Sequence, residues 1–361
     1  MSSSKRPRVH LTEEQRLIRK RYLVATLITC ITLAMIFGTF HVVSLGSNRM
    51  ADMRAKAAYD LEEEHKHIRA AGEDIKLHEK HESQKKASAT YMLAEVEALL
   101  TPEKWSELNA LVEIPAGEFM MGSSAERTSV QNKPEHKVML GRYYIDKYPV
   151  TNAQYARFVA ETKHRPPLDW VNGKIPDQKY MHPVTMVSWY DARDYCQYAG
   201  KRLPTEAEWE KAARGPQASR WPWGNKMDPQ KVNTYYNVGS TTNVTRYPSG
   251  KSPYGVMDLS GNVSEWTASN FEPYKGSDAP RSQFTPKALV ANTPKDKAMK
   301  IGELVDLEDR VFKVRRGGSW KSDPFATSAY HRNYSMPHYA SDFFGFRCAK
   351  DATETSAQAT N

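Results

Sequence analysis

The strongest hydrophobic pattern in the chain is a 24-residue stretch, Tyr22 to Leu45, that contains no Asp, Glu, Lys or Arg. Because about 20 apolar residues in a helix cross the hydrocarbon core, this stretch predicts a transmembrane helix over residues 22–45. A cleaved signal peptide is the alternative, but its apolar region is only about 7–15 residues long. Leu45-Gly46-Ser47-Asn48 is also a poor cleavage site, so we interpret the stretch as a retained anchor.

The basic residues on either side of this stretch predict its orientation. Residues 1–21 contain seven Lys or Arg and two Glu. The basic residues just after the stretch are only Arg49, Arg54 and Lys56. Positive charge favours the cytoplasmic side, so we expect residues 1–21 to be a cytoplasmic tail. The chain would then be a single-pass protein of the bacterial inner membrane with a periplasmic C-terminal domain. The net charge of +9 is concentrated in this tail, and we expect no nucleic-acid partner.

After the anchor the pattern becomes mostly polar with a narrow apolar stripe. Leu61, Ile68 and Ile75 recur every seven residues, which predicts a helical stalk or linker over residues 46–110. The stripe lasts about two heptads, so a coiled coil and a single solvated helix both stay open.

From residue 111 the chain has few long periodic segments and is rich in Gly, Pro, Asn and aromatic residues, which predicts a loop-rich α+β domain. Helix starts nevertheless stand out, because a hydroxyl followed three residues later by Gln, Asp or Glu forms a capping box. This pattern occurs at Thr151/Gln154, Ser188/Asp191 and Thr205/Glu208. Just upstream, Pro102 after Thr101 predicts another helix start. Residues 351–361 are expected to be a disordered tail.

Several sequence blocks occur in a fixed order over residues 111–350 and together resemble one family. They include Phe119-Met120-Met121-Gly122, Arg202-Leu203-Pro204-Thr205-Glu206-Ala207-Glu208-Trp209-Glu210, Gly261-Asn262-Val263-Ser264-Glu265-Trp266, Arg316-Gly317-Gly318-Ser319-Trp320 and Gly345-Phe346-Arg347-Cys348. This set is similar to the formylglycine-generating enzyme, or sulfatase-modifying factor, family. The resemblance implies an irregular α+β fold related to C-type lectins. Since fold does not confer activity, function must be argued at the site.

The resemblance also implies where a copper site would lie. In the family's enzymes two cysteines after the Gly-Gly-Ser step bind copper and activate oxygen. The matching positions here are Ser322 and Thr327. A hydroxyl does not supply the soft thiolate ligand that selects Cu(I). We therefore expect no copper and no catalytic residues at these degenerate positions.

Two further features follow from the resemblance. Cys196 and Cys348 occupy positions that are disulfide-bonded in formylglycine-generating enzymes, and an exported domain lies in a compartment that permits the bond. Two buried free thiols are the alternative. The stretch from Asp258 to Trp266 resembles the family's calcium loop, in which the ligands would come from Asp258, Gly261, Val263 and Glu265. A metal-free loop whose carboxylates bond turn amides is the alternative.

One departure from the family is a long connection between Trp266 and Arg316. We refer to residues 271–312 as the excursion; it is rich in Lys, Pro, Ser and Ala and then carries an acidic patch. Long loops in compact domains tend to be functional or disordered. The excursion is therefore either a docking surface for a partner or a surface loop without a role.

Other polar residues near the degenerate positions suggest a replacement metal or acid-base set. These residues are His331, Arg332, Tyr334 and His338. A metal proposal needs a ligand count and a geometry, and the sequence supplies neither. We expect surface or hydrogen-bonded histidines here.

Three classes of function follow from these features. The first, which we favour, is a non-catalytic scaffold or regulatory subunit of a cell-envelope complex, in which the lectin-like domain and the excursion bind protein partners. The second is a copper-dependent formylglycine-generating enzyme, which the missing cysteine pair opposes. The third is a non-heme iron oxygenase, whose family pattern His-x-x-x-His-x-Glu is missing from the histidine-rich part of the stalk.

Overall fold

The computed structural model describes residues 97, 98, 100–284 and 311–352. The predicted cytoplasmic tail, the transmembrane helix, most of the stalk, the middle of the excursion and residues 353–361 lie outside these residues. Within the described ranges, no helix is both long enough and apolar enough to cross a membrane.

The described residues form a domain of mixed helices and short strands. The helices are α1 (Pro102–Leu108), α2 (Asn152–Thr162), α3 (Trp189–Tyr198) and α4 (Glu206–Arg214). The strands are β1 (Leu111–Ile114), β2 (Gly117–Met121), β3 (His136–Leu140), β4 (Tyr143–Asp146), β5 (Ser264–Asn270), β6 (Lys313–Arg316), β7 (Arg332–Ser335), β8 (Phe344–Phe346) and β9 (Ala349–Asp351). Long connections without regular structure join many of these elements, as the composition predicts.

The strands form three small sheets, and the largest carries several buried charged side chains. One sheet has the order β1-β4-β9, the second pairs β2 with β3, and the third has the order β7-β6-β5-β8. In the third sheet β6 is antiparallel to β5 and β7, whereas β8 runs parallel to β5. Because side chains alternate along any strand, successive side chains of β6 point to opposite faces of this sheet.

The predicted helix starts are present. Thr151, Ser188 and Thr205 each cap a helix, and in each case the residue three positions later bonds back to the cap. Thr101 caps α1 directly before Pro102. Local sequence thus determines where these four helices begin, because each cap satisfies amides that have no partner within the helix.

The core beside α2 and α3 is rich in aromatic side chains and is crosslinked. Tyr155 of α2 stacks on Tyr195 of α3 with 5.7 Å between ring centroids, and Phe346 of β8 packs edge-on to both rings. The Sγ atoms of Cys196 and Cys348 are 2.03 Å apart, so the disulfide implied by the family resemblance is present. It joins α3 to the segment between β8 and β9.

Helix α1 packs on this domain rather than standing apart from it. Leu108 is buried, and the Trp105 ring lies 4.2 Å from the guanidinium carbon of Arg157 on α2. At the other end, Asp351 of β9 accepts hydrogen bonds from Arg202. The described domain therefore includes α1, which was predicted as part of the stalk, and reaches β9, whose Asp351 was predicted as part of the disordered tail.

Candidate functional site

The Gly-Gly-Ser step turns the chain from β6 into the loop that carries the degenerate copper positions. Gly318 has a φ of +65°, and a Cβ atom there would lie 2.8 Å from the Ala326 carbonyl oxygen. A larger residue would meet both strain and a backbone clash. The motif thus positions the 319–328 loop, whatever the chemistry of the residues on it.

Ser322 and Thr327 both lie on this loop, and neighbouring groups of the chain bond their hydroxyls. Ser322 Oγ accepts from the Ser319 amide at 2.8 Å. Thr327 is fully buried; its hydroxyl donates to the Pro324 carbonyl oxygen at 2.8 Å and accepts from Trp221 Nε1 at 3.2 Å. A hydroxyl has one proton to donate, and Thr327 uses it on its own loop.

These contacts do not fit a Cu(I) site. Cu(I) selects soft sulfur ligands, and the two positions offer hydroxyl oxygens that already take part in local hydrogen bonds. No catalytic step through copper can be derived from them. Within the described part of the chain, no group of three or more His, Cys, Asp or Glu side chains is arranged to hold a metal ion.

Beneath this loop lies a buried network of charged residues that sequence reasoning missed. Glu206, Glu210 and Arg214 recur every four residues on α4 and therefore share one face of the helix. Across from them, Arg316 of β6 and Arg332 of β7 are paired neighbours in the sheet. All five side chains are buried. We refer to these five residues as the α4 charge network.

Arg316 connects the network to the degenerate loop. Its guanidinium bonds the Glu210 carboxylate, and it also donates to the carbonyl oxygens of Ala329 at 2.9 Å and Tyr330 at 3.0 Å. Glu210 Oε1 in turn accepts from the Gly122 amide at 2.8 Å and from Arg214 at 2.9 Å. The network therefore holds the end of the loop that carries Thr327 against α4.

Arg332 forms the second half of the network. Its Nε and Nη2 atoms donate to the two oxygens of Glu206 at 2.7 and 2.9 Å, a bidentate arrangement. The Tyr274 hydroxyl donates to Glu206 Oε1 at 3.3 Å, and burial raises the pKa of Tyr274 well above its usual range. Arg332 also donates to the Glu272 carbonyl oxygen, which ties the start of the excursion to the domain. Its role is thus structural pairing rather than acid-base chemistry.

A separate ion pair occupies the predicted calcium loop. Glu265 Oε2 accepts from Arg347 Nε at 2.6 Å and from Trp209 Nε1 at 2.7 Å, while Oε1 accepts from Arg347 Nη2 at 2.7 Å. A carboxylate offers about four lone-pair sites, so one site on Oε1 stays available. Asp258 is buried, and its Oδ2 accepts from the Asn262 side-chain amide at 2.9 Å.

The calcium prediction rests mainly on the Asp258 half of this loop. Burial raises the pKa of Asp258 to about 7, since desolvation disfavours its charged form and Arg347 compensates only in part. Calcium takes hard oxygen ligands and would favour the ionised form. Calcium binding stays a prediction.

The four residues considered as a replacement set have separate surroundings. His331 Nδ1 lies 3.4 Å from the Asn132 side-chain amide, and burial lowers the pKa of His331 to about 4, so it is neutral. The Tyr334 ring stacks on Phe271, whereas His338 is exposed and packs edge-on to Tyr339. With Arg332 paired to Glu206, these side chains do not form one site.

The two described ends of the excursion meet in an aromatic cluster. The Phe271 ring lies 4.2 Å from that of Tyr334 and 4.7 Å from that of Phe284, and Phe312 lies 4.7 Å from Tyr334. The Phe271 amide also donates to the Phe312 carbonyl oxygen at 2.7 Å. The chain thus leaves and re-enters the domain at one place. We refer to these four rings as the excursion neck.

Comparison with known proteins identifies the family. The family model described as the sulfatase-modifying factor enzyme 1-like domain matches residues 96–352, so the chain belongs to this family. The formylglycine-generating enzyme of Mycobacterium tuberculosis is 30% identical over 310 residues, covering 68% of this chain and 98% of that protein. The inactive C-alpha-formylglycine-generating enzyme 2 of Bos taurus is 29% identical over 313 residues, covering 69% and 92%.

A third relative contains the family domain within a longer chain. The serine/threonine-protein kinase pkn1 of Chlamydia pneumoniae is 33% identical over 267 residues, which cover 69% of this chain and 39% of that protein. This chain therefore spans about two fifths of that relative's length. The relatives carry names of active enzymes, an inactive enzyme and a kinase, so membership of the family does not decide activity.

Proposed function

We propose that this protein is a membrane-anchored, non-catalytic binding subunit of a cell-envelope protein complex, with its family domain outside the cytoplasm. One observation carries the proposal. The family's copper positions hold Ser322 and Thr327, whose hydroxyls bond their own loop, while the α4 charge network beneath them keeps its ion pairs. The scaffold is kept and the sulfur ligands are missing, as expected of a domain used for contact rather than for oxidation.

The proposed location rests on two features. The apolar stretch over residues 22–45 follows seven basic residues, which favours a cytoplasmic N-terminus and an exported domain. The Cys196–Cys348 disulfide is consistent with an oxidising compartment. We propose the bacterial inner membrane as its location on these grounds.

The excursion is the surface that we propose binds the partner. Its described ends are held together by the excursion neck, so the chain leaves and re-enters the domain at one place. Residues 286–309 carry both basic and acidic side chains, which suits contacts with a charged protein surface.

The first experiment tests the absence of copper chemistry. The purified full-length chain is expected to bind Cu(I) weakly and to oxidise no cysteine peptide of the sulfatase type, because hydroxyls are poor Cu(I) ligands. The double variant Ser322→Cys/Thr327→Cys is the matched comparison and should bind Cu(I) more tightly. Turnover by the unmodified chain, abolished by His331→Ala, would refute the non-catalytic proposal and favour another oxygenase.

The second experiment tests the location and the partner surface. A reporter that functions only outside the cytoplasm, fused after Asn361, should be active; activity of a cytoplasmic reporter there would overturn the orientation.

Replacing residues 286–309 with a short Gly/Ser linker should reduce partner recovery from solubilised membranes. The neck residues stay in place in this variant, so an unchanged unfolding midpoint provides the control. Unchanged partner recovery would remove the excursion from the proposal.

A further inference from the structure

Besides Arg214 of α4, which bonds Glu210, four buried arginines lie in the described residues, and they differ in their partners. Arg316 bonds Glu210, Arg332 bonds Glu206, and Arg347 bonds Glu265. Arg315 is 8% exposed, yet among the described residues no carboxylate forms an ion pair with it. Buried charges are normally paired, so this arginine is the exception that needs an explanation.

The contacts of Arg315 are mainly with aromatic rings. Its guanidinium carbon lies 3.5 Å from the centroid of the Phe344 ring, 5.6 Å from that of Trp266 and 5.9 Å from that of Phe343. The one polar contact that the structure gives is Nη2 donating to the Tyr334 carbonyl oxygen at 3.1 Å. Arg315 Nε and Arg316 Nε are both buried without a hydrogen-bond partner, so Arg315 differs from Arg316 in lacking a carboxylate. A guanidinium carries five N–H groups, so most of its donor capacity is unused.

The strand register explains why the glutamates that serve the other arginines do not reach this one. Arg315 pairs with Trp266 across the sheet, whereas Arg316 pairs with Glu265. Because side chains alternate along a strand, Arg315 points away from α4 and its acidic residues. Burial without an ion pair lowers the pKa of Arg315 to about 9. Desolvation causes this shift, and an anion beside the guanidinium would oppose it.

A second cation, Lys321, lies near the Phe343 ring, which is also close to Arg315. Lys321 Nζ lies 5.0 Å from the centroid of the same ring, and the Lys321 side chain retains 17% of its exposure. Lys321 pairs at 2.9 Å with Asp342, an acidic group at this edge. The half-buried Phe343 therefore separates a buried guanidinium from an ion pair at the surface. A ligand that reaches Arg315 would pass beside this ring.

We propose that Arg315 is the base of a binding site for a carboxylate group, entered beside Phe343. The planar guanidinium, stacked on Phe344, presents its N–H groups in the plane in which a carboxylate accepts two parallel hydrogen bonds. The carboxylate comes either from a free small acid or from an acidic side chain of a bound peptide, since both offer the same group.

The test follows the Nε–Hε resonance of Arg315 in the full-length chain labelled with ¹⁵N-arginine. Arg315→Lys keeps the charge, removes this resonance and so assigns it. Sodium acetate is titrated against sodium chloride at constant ionic strength, and N-acetyl-glutamyl amide is titrated in the same way. Arg332 and Arg347 are internal controls, because their Nε atoms already donate to Glu206 at 2.7 Å and to Glu265 at 2.6 Å.

We expect a saturable shift of the Arg315 resonance at concentrations that leave the two control resonances in place. A shift with acetate alone assigns the site to free small acids, and a shift that includes the glutamyl probe assigns it to acidic side chains. Thermal stabilisation of the parent chain by the same probe should require at least tenfold more probe in Arg315→Lys. An Arg315 resonance that moves with neither probe, or only in parallel with the controls, would overturn the proposal.

Discussion

Arg315 and Arg316 are adjacent on one strand, yet they lie in opposite electrostatic environments. Arg316 faces α4 and bonds the Glu210 carboxylate. It also donates to two backbone carbonyl oxygens. Arg315 faces the aromatic side of the sheet, and the structure gives it one carbonyl partner and a stacked ring. Residue type alone therefore says little about role: the face of the strand decides which arginine is part of the framework.

The same contrast occurs between two acidic residues of the predicted calcium loop. Glu265 is neutralised by Arg347 and also accepts from Trp209. Asp258 has an amide as its hydrogen-bond partner, and its pKa is raised to about 7. Paired groups such as Glu265 and Arg316 hold the fold together. Groups without an ion pair among the described residues, such as Asp258 and Arg315, are the places where a ligand of opposite charge would gain most.

The largest effect is expected from breaking a paired group. Arg316→Met removes the cation beside Glu210 and leaves that buried carboxylate with Arg214 and an amide. Loss of one partner of a buried ion pair costs about 3–5 kcal/mol, because the other charge stays desolvated. Denaturant unfolding should therefore show a marked fall in the unfolding midpoint and in the free energy of unfolding.

The matched control removes both charges at once. Arg316→Met combined with Glu210→Leu leaves no unpaired Glu210 carboxylate, so the double variant should lose less stability than the two single losses added together. If Arg316→Met alone changes the free energy of unfolding by less than about 1 kcal/mol, the α4 charge network is not the framework described above.

The family fold and the helix starts could be predicted from the sequence, because local patterns determine both. The capping boxes at Ser188 and Thr205 depend on residues three positions apart, and the cysteine pair was implied by its family positions. The α4 charge network was missed, although Glu206, Glu210 and Arg214 already share a helical face in the sequence. That spacing was the available signal.

The partners of the network could not be predicted, because they depend on long-range register. Arg332 lies 126 residues from Glu206 along the chain, so the sequence alone suggests metal or acid-base chemistry for it and does not reveal its ion pair. The register between β5 and β6 determines which of the two arginines, Arg315 or Arg316, faces α4. The pairing of β5 with β6 is irregular after Trp266. No short motif encodes this choice.

A smaller effect, and one that depends on pH, is expected at Asp258. Its pKa is about 7 in the folded chain and near 3.8 in ordinary surroundings, so between these values the folded state holds a proton that the unfolded state releases. Stability should therefore fall as pH rises from about 4 to 7, by at most roughly 4 kcal/mol from this group. Asp258→Asn should remove that contribution, seen as the difference between the two stability–pH curves.

Adding calcium to the stability measurements tests whether Asp258 is a ligand. If the loop binds calcium through Asp258, millimolar calcium should raise the unfolding temperature of the parent chain more at pH 8 than at pH 5, since binding needs the ionised carboxylate. Magnesium at the same concentration is the control for ionic strength. Equal stabilisation of the parent chain and of Asp258→Asn would exclude this residue as a ligand.

The smallest effect is expected at Arg315, the unpaired neighbour of Arg316. Arg315→Met keeps a long side chain beside Phe344 and Trp266 and removes a desolvated charge, while the Tyr334 carbonyl oxygen loses one hydrogen bond. The gain and the loss are each of order 1 kcal/mol, so the free energy of unfolding should change by less than about 1 kcal/mol. Denaturant unfolding beside Arg316→Met under identical conditions makes the comparison direct. A loss as large as that of Arg316→Met would mean that Arg315 has a structural carboxylate partner within the chain, and the contrast between the two faces of the strand would no longer hold.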